Sequence, residues 1–409
     1  MLRTQTPCCT EAKRPAESIQ DLYFRLLVGA VRLVAAGDAA ALMRLAPDLS
    51  DVDALDDLWV RELFLCHRSP LLIAHALIQS EEAGVLDLPE PFSERLHAIY
   101  AAGQRRNTVL MQECSAVMDA LDVPVTTLKG AWLVSHGVYP NASRFFGDLD
   151  FAVEPTVDRA RIIRSLGELG YIFQDLSAQD HLGFHREEPG LRLYDGLPAR
   201  ENLPKRMNPV NARLETLRQA FFMQKTFFVE VQSNLDRVRA LRSPLYFRAE
   251  DHNNAARHLL LLCHHLCVSD FNHSYGVVDV ALMLRSPLVD WEQFAGLVEE
   301  FGAQEICAAT FGIVERCFGE DMLPDEATRL RAYPAFYRGK QLGRDTVLSP
   351  AATVQGRWLS IRICRSLPSC HRAAIMALSP IVPRNFPLRW LHRKINQRIK
   401  RRRTGRFQK

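Results

Sequence analysis

The chain has 409 residues, 47% of them hydrophobic and 24% charged, an ordinary globular composition with room for two or three domains. It has no apolar run of the ~18 residues a membrane span requires, and the polar, cysteine-bearing Met1–Arg14 lacks the apolar stretch of a secretory signal. Ten cysteines without disulfide-framework spacing read as reduced thiols, so a cytoplasmic location is expected.

Residues 1–15 read as a disordered leader, and residues 16–121 as a helical region. Leu22, Leu26, Leu27 and Val31 form an apolar helix face. Further helices are predicted over Asp51–His67 and over Pro70–Ala83, the latter opening with proline in its first turn. Phe92–Leu121 is a long amphipathic stretch with Leu96, Val109, Leu110 and Val117 at helical spacing.

The texture changes across residues 122–250. Val123–Leu128 is a short β-rich run broken by Lys129-Gly130, and Ala131–Gly137 suits a helix. Asp148–Val153 alternates acidic and apolar residues, as a strand with one functional face would. A helix over Val157–Gly170 follows, with strands beginning at Tyr171, around Gly183, around Leu191–Tyr194 and over Phe227–Gln232. The pattern predicts an α+β fold, with a small mixed-sheet core flanked by N-terminal and C-terminal helical regions. His181 and His185, flanking Gly183, read as part of an exposed hairpin. Residues 251–345 are helical again, with helices over His252–Val268, Tyr275–Leu284 and Trp291–Phe301. Cys263 and Cys267 are expected to face the core there, and Asp279 to have a structural role.

Residues 346–409 form a basic tail segment. No acidic residue follows Asp345. The 15 Lys and Arg of Thr346–Lys409, set against a net charge of +4, leave the first 345 residues at −11. Within Pro383–Lys409, Leu391, Ile395 and Ile399 mark one face of a basic amphipathic helix. Such a segment can lie on an anionic membrane surface, making the protein peripheral there, can grip RNA phosphates, or can be a solvated tail.

Chemistry concentrates between Lys129 and Glu230. Asp148 and Asp150 share one face of their strand, since residues i and i+2 point the same way. Two carboxylates so close repel unless a cation neutralises them, and hard oxygen ligands suit Mg²⁺ or Mn²⁺. Glu230, an acid between Val229 and Val231, is the candidate third carboxylate. Lys129 and Gly130 stand at a strand-to-helix turn, where glycine lets the backbone approach phosphates and the helix start favours anions. Arg144 is expected to grip a triphosphate oxygen.

Leu128-Lys-Gly-Ala-Trp-Leu-Val, with Tyr139-Pro140, Arg144 and Asp148-Leu-Asp-Phe-Ala-Val153, resembles the uncharacterised nucleotidyltransferase family of the DNA polymerase β-like superfamily over roughly residues 65–300. The resemblance implies a nucleotidyltransferase core at residues 122–250 and catalytic, metal-binding acids at Asp148, Asp150 and Glu230. It also implies a histidine among Cys263-His264-His265-Leu266, followed by a helix with Asp279-Val280-Ala281. The expected reaction is Mg²⁺- or Mn²⁺-dependent transfer of a nucleoside monophosphate from an NTP to an acceptor, releasing pyrophosphate. Two departures motivate an alternative, an inactive nucleotide-binding scaffold. Gln232 stands where the family strand carries histidine, and Ala131 follows the glycine where the superfamily has a phosphate-contacting serine.

Overall fold

The computed structural model describes residues 16–46, 49, 69–178, 181–187, 226–236, 240–269, 271, 274–348 and 359. The expected helix over 51–67, the strand around 191–194, the leader and the basic amphipathic segment lie outside them.

Helix α1 (Ala16–Ala36) buries Leu22, Leu26, Leu27, Ala30 and Val31 along one stripe, and the short α2 (Ala40–Met43) packs beside it. Helix α3 (Pro70–Glu82) starts on proline, whose missing N–H costs nothing in the first turn. Its Leu71, Leu72, Ile73, Ala74, Ala76 and Leu77 are all buried, so it runs through the interior. Helix α4 (Glu90–Ala120) is 31 residues long. Its Phe92 and Leu96 join one hydrophobic core, and its Leu110, Cys114 and Val117 join another.

The second core is the underside of a sheet. Strands β1 (Val125–Thr127) and β2 (Leu149–Val153) are separated by α5 (Lys129–Ser135). After α6 (Arg159–Glu168) come β3 (Ile172–Ala178), β4 (His181–Glu187) and β5 (Thr226–Gln232). The five form one mixed sheet in the order β1-β2-β5-β4-β3, with β2 and β5 parallel and the other pairs antiparallel. The expected mixed-sheet α+β architecture is what the chain adopts. Strands β3 and β4 form the hairpin expected around His181 and His185, but β4 lies inside the sheet between β3 and β5 and its His181 is buried.

Alternation sorts the strand residues. Leu149, Phe151 and Val153 of β2, Val229 and Val231 of β5, and Leu182 and Phe184 of β4 face α4 and α6. The intervening residues, Asp150, Ala152, Glu230, Gln232, His181 and Gly183, fall on the other face.

The C-terminal helices are α7 (Ala255–Val268), α8 (Ser274–Leu284), α9 (Trp291–Glu300), α10 (Gln304–Phe318) and α11 (Pro334–Leu348), and Ala152 of that other face joins their core. Leu128, Trp132, Leu133 and Ala152 belong to the same core as α1, α3, α7, α8 and α10. Cys263 and Cys267 are buried in it, as expected. Polar ties reinforce the junction. Trp132 Nε1 donates to the His252 carbonyl at 2.7 Å, and Thr126 Oγ1 donates to the Arg248 carbonyl at 3.3 Å. Among the described residues no helix is long and apolar enough to cross a membrane.

Candidate active site

Chain register builds the site. In the parallel β2–β5 pair Asp150 stands opposite Glu230 and Ala152 opposite Gln232. On the other side of β5, Gly183 stands opposite Glu230 and His181 opposite Gln232. Two acids from neighbouring strands are thus fixed side by side by backbone hydrogen bonds. Asp148 precedes β2 and is exposed, whereas Asp150 is buried.

β1 delivers the cation. Leu128 N donates to the Asp150 carbonyl at 2.9 Å, which holds the end of β1 against β2. The backbone then turns at Lys129, whose φ of 48° lies in the left-handed region that a side chain rarely adopts. The turn places Lys129 Nζ 2.8 Å from Asp150 Oδ1. Gln232 Nε2 donates to the same oxygen at 3.1 Å and reaches Glu230 Oε2 at 3.4 Å. His181 Nε2 lies 2.9 Å from Glu230 Oε2.

The electrostatics follow from this crowding. Burial, together with the neighbouring charges of Asp148 and Glu230, pushes the Asp150 carboxyl up to about 7 against the opposing pull of Lys129. Burial works against the Lys129 ammonium, but Asp150, Asp148 and Glu230 outweigh it, and its pKa rises.

Gly130 and Arg144 are each held by partners within the fold. The positive φ belongs to Lys129, not to Gly130. Gly130 is buried, and a Cβ there would meet Arg144 Nη1 at 2.4 Å and Phe146 Cβ at 2.6 Å. Glycine is needed to seat Arg144 and Phe146. Helix α5 has only seven residues, too few for a strong macrodipole. Arg144 donates from Nε to Asp279 Oδ1 at 2.7 Å and from Nη2 to Oδ2 at 2.6 Å. Tyr139 Oη donates to Asp279 Oδ1 at 2.6 Å. A buried guanidinium needs a counter-charge, and Asp279 of α8 supplies it with bidentate geometry. The pair raises the Arg144 pKa further, although burial opposes it. Tyr139, against the same carboxylate, is also raised, mainly by burial.

The histidine pair of α7 also resolves. His264 is buried, with Nε2 2.9 Å from Asp236 Oδ1, and His265 is half-buried. Asp236 also accepts from the N–H groups of Ala240 and Leu241 at 2.8 and 2.9 Å. His181 and Gln232 were not among the expected site residues. The period of two that exposed Glu230 also puts Gln232 on its face, and this was the available signal. His181 required the pairing of β4 with β5, which no local pattern carries.

Acidic oxygens from neighbouring strands are the donor set a hard divalent ion takes. In residue type Asp148, Asp150 and Glu230 fit such an ion, and the register sets two of them, Asp150 and Glu230, side by side. Among the described residues, however, no group of three His, Cys, Asp or Glu is already arranged to hold one. The cation on Asp150 is the ammonium of Lys129.

A family model described as uncharacterised nucleotidyltransferase matches residues 67–319, more than half of the chain and the whole of the sheet. No curated protein and no solved structure matches. With the glycine turn, the paired strand acids and the helices behind them all inside the matched span, the chain belongs to the uncharacterised nucleotidyltransferase family.

Proposed function

We propose that the protein transfers a nucleoside monophosphate from an NTP to an acceptor hydroxyl, with Lys129, Asp148, Asp150 and Glu230 as its working residues. The observation that carries this reading is the β2–β5 register, which sets Asp150 beside Glu230 with the Lys129 ammonium against them. Asp148, Asp150 and Glu230 would hold Mg²⁺ or Mn²⁺, which supplies positive charge to the phosphates and acidifies a bound hydroxyl.

The chain's own groups do the positioning. Lys129 brings a cation to the acidic face, where a triphosphate would otherwise be repelled. Gln232 holds the carboxylates of Asp150 and Glu230 at fixed spacing, and His181 Nε2 lies against the same oxygen of Glu230. In transfer, the acceptor oxygen forms a bond to the α-phosphorus while the bond to the β-phosphate bridging oxygen breaks. Pyrophosphate departs with that electron pair, and the hydroxyl proton passes to Glu230, which is more accessible than Asp150. Positioning and preorganised charge supply most of the acceleration in such chemistry.

Incubation with labelled NTPs and Mg²⁺ or Mn²⁺ tests the proposal, with Asp148→Asn/Asp150→Asn as the control. Label transfer that the double variant loses supports it, and nucleotide binding without transfer favours the inactive scaffold. Wild-type protein that binds none of the four NTPs overturns it.

A further inference from the structure

Lys129 is the one site residue whose backbone is strained, and its ammonium rests on a carboxylate proposed to hold a metal ion. Asp150 Oδ1 receives two donors, Lys129 Nζ at 2.8 Å and Gln232 Nε2 at 3.1 Å. The side chain of Asp150 is 4% exposed, so a cation has little other access to it. Lys129 is 18% exposed and carries its charge on a flexible four-carbon stem, so it can leave without disturbing the sheet. Asp148, exposed just ahead of β2, gives an incoming ion a first carboxylate.

We infer, on the nucleotidyl-transfer reading above, that Lys129 is an internal counter-ion which a divalent cation must displace from Asp150, and which then serves the triphosphate. Metal and nucleotide thereby enter as a coupled pair. The charge balance points the same way. Asp148, Asp150, Glu230 and Lys129 together carry fewer unpaired negative charges than three acids alone, which weakens the site's hold on a bare ion. A triphosphate offsets this by giving the displaced ammonium a new anion. Because any effect of nucleotide on metal affinity is matched by an equal effect of metal on nucleotide affinity, the coupling is measurable from either side.

The test is Mn²⁺ binding, followed by the electron paramagnetic resonance signal of the free ion. It compares the full-length wild type with Lys129→Met and Lys129→Gly, with and without the four non-hydrolysable α,β-methylene NTPs. Methionine keeps an unbranched stem without the charge, and glycine suits the left-handed backbone at this position, so the two variants remove the ammonium in different ways. The wild type is expected to bind Mn²⁺ weakly alone and at least about tenfold more tightly with an analogue, within the usual range of site-to-site coupling. Both variants are expected to bind Mn²⁺ alone about tenfold more tightly than the wild type and to lose most of the nucleotide effect. Mn²⁺ affinities in both variants equal to the wild type's without nucleotide, or a nucleotide effect undiminished in both, overturn the inference and leave the transferase reading standing. No Mn²⁺ binding by the wild type with any analogue overturns both.

Discussion

A single side chain can be chemically obvious in a sequence while its partner in the fold is not. Arg144 lies four residues before Asp148 and looked like a phosphate ligand, yet its guanidinium is buried against Asp279, 135 residues away. Only the docking of α8 brings that carboxylate near. Asp150 and Glu230 were readable because an acid flanked by apolar strand residues is a local signal. Arg144–Asp279 and His181–Glu230 are long-range pairings with none. The buried pair makes a sharp prediction. Arg144→Ala or Asp279→Asn leaves a charge without its partner and should cost about 3–5 kcal/mol in denaturant unfolding. If Arg144 acted chiefly on a phosphate, Asp279→Asn would leave stability near wild type. Gly130→Ala should act on the same neighbourhood. Its Cβ would lie 2.6 Å from Phe146 Cβ, an atom close to the backbone that cannot swing away, so a loss of about 1–3 kcal/mol is expected in the same assay.

At the level of elements, hydrophobic period located α1, α3, α4 and the strands β1, β2, β4 and β5. It gave the helical character of residues 251–345 but no separate bounds for α11. Gly339 and Gly343 punctuate that stretch, and glycine weakens a helix by about 1 kcal/mol relative to alanine. Gly339 is there for contact. A Cβ on it would lie 2.0 Å from the Ala309 carbonyl oxygen, and one on Gly312 of α10 would lie 2.1 Å from the Phe336 carbonyl oxygen. Two helices touch backbone to backbone through a glycine on each. A pattern that scores glycine only as a helix breaker cannot see that arrangement. Gly312→Ala should therefore push α10 and α11 apart, because carbonyl oxygens cannot rotate out of the way. A stability loss of about 1–3 kcal/mol, read from the urea midpoint, is the expected result. Glu315 of α10, which accepts from Arg331 and Lys340 at 2.6 Å each, clamps the same helices and should limit the separation. An unchanged midpoint in Gly312→Ala would show that the crossing is looser than its backbone contacts imply.

Across the whole molecule, the strand acids sit at a boundary between two cores, and α5 is built into the helical one. Leu128, Trp132 and Leu133 share a core with α1, α3, α7, α8 and α10, so the site and the helices should unfold together. Far-UV circular dichroism and tryptophan fluorescence are expected to give coincident transitions in urea, and two separated midpoints would break that expectation. The same junction sets the acid limit of stability. His258 of α7 stacks on Trp132 with ring centroids 3.9 Å apart, and its Nε2 has no hydrogen-bond partner among the described residues. Burial holds its pKa well below the ordinary value, and the nearby His136, His252 and Arg257 push it the same way. The folded state thus keeps His258 neutral while the unfolded chain protonates it near pH 6.5. Its contribution is fully present above that pH and is lost as pH falls toward the folded value. Asp150 acts in the opposite sense. With its carboxyl raised to about 7 in the fold, it favours the folded state in acid, and that contribution is lost as pH rises through 7. The two partly cancel in the wild type between pH 5 and 7, so each must be isolated by a variant. His258→Phe keeps a ring against Trp132 and removes the proton. Measured in EDTA, its melting temperature should fall less than the wild type's from pH 7 to pH 5. Asp150→Asn removes the opposing contribution, so its melting temperature should fall more steeply than the wild type's over the same interval. Parallel pH profiles for wild type and His258→Phe would mean that the imidazole is protonated in the fold and that its stack on Trp132 tolerates the charge.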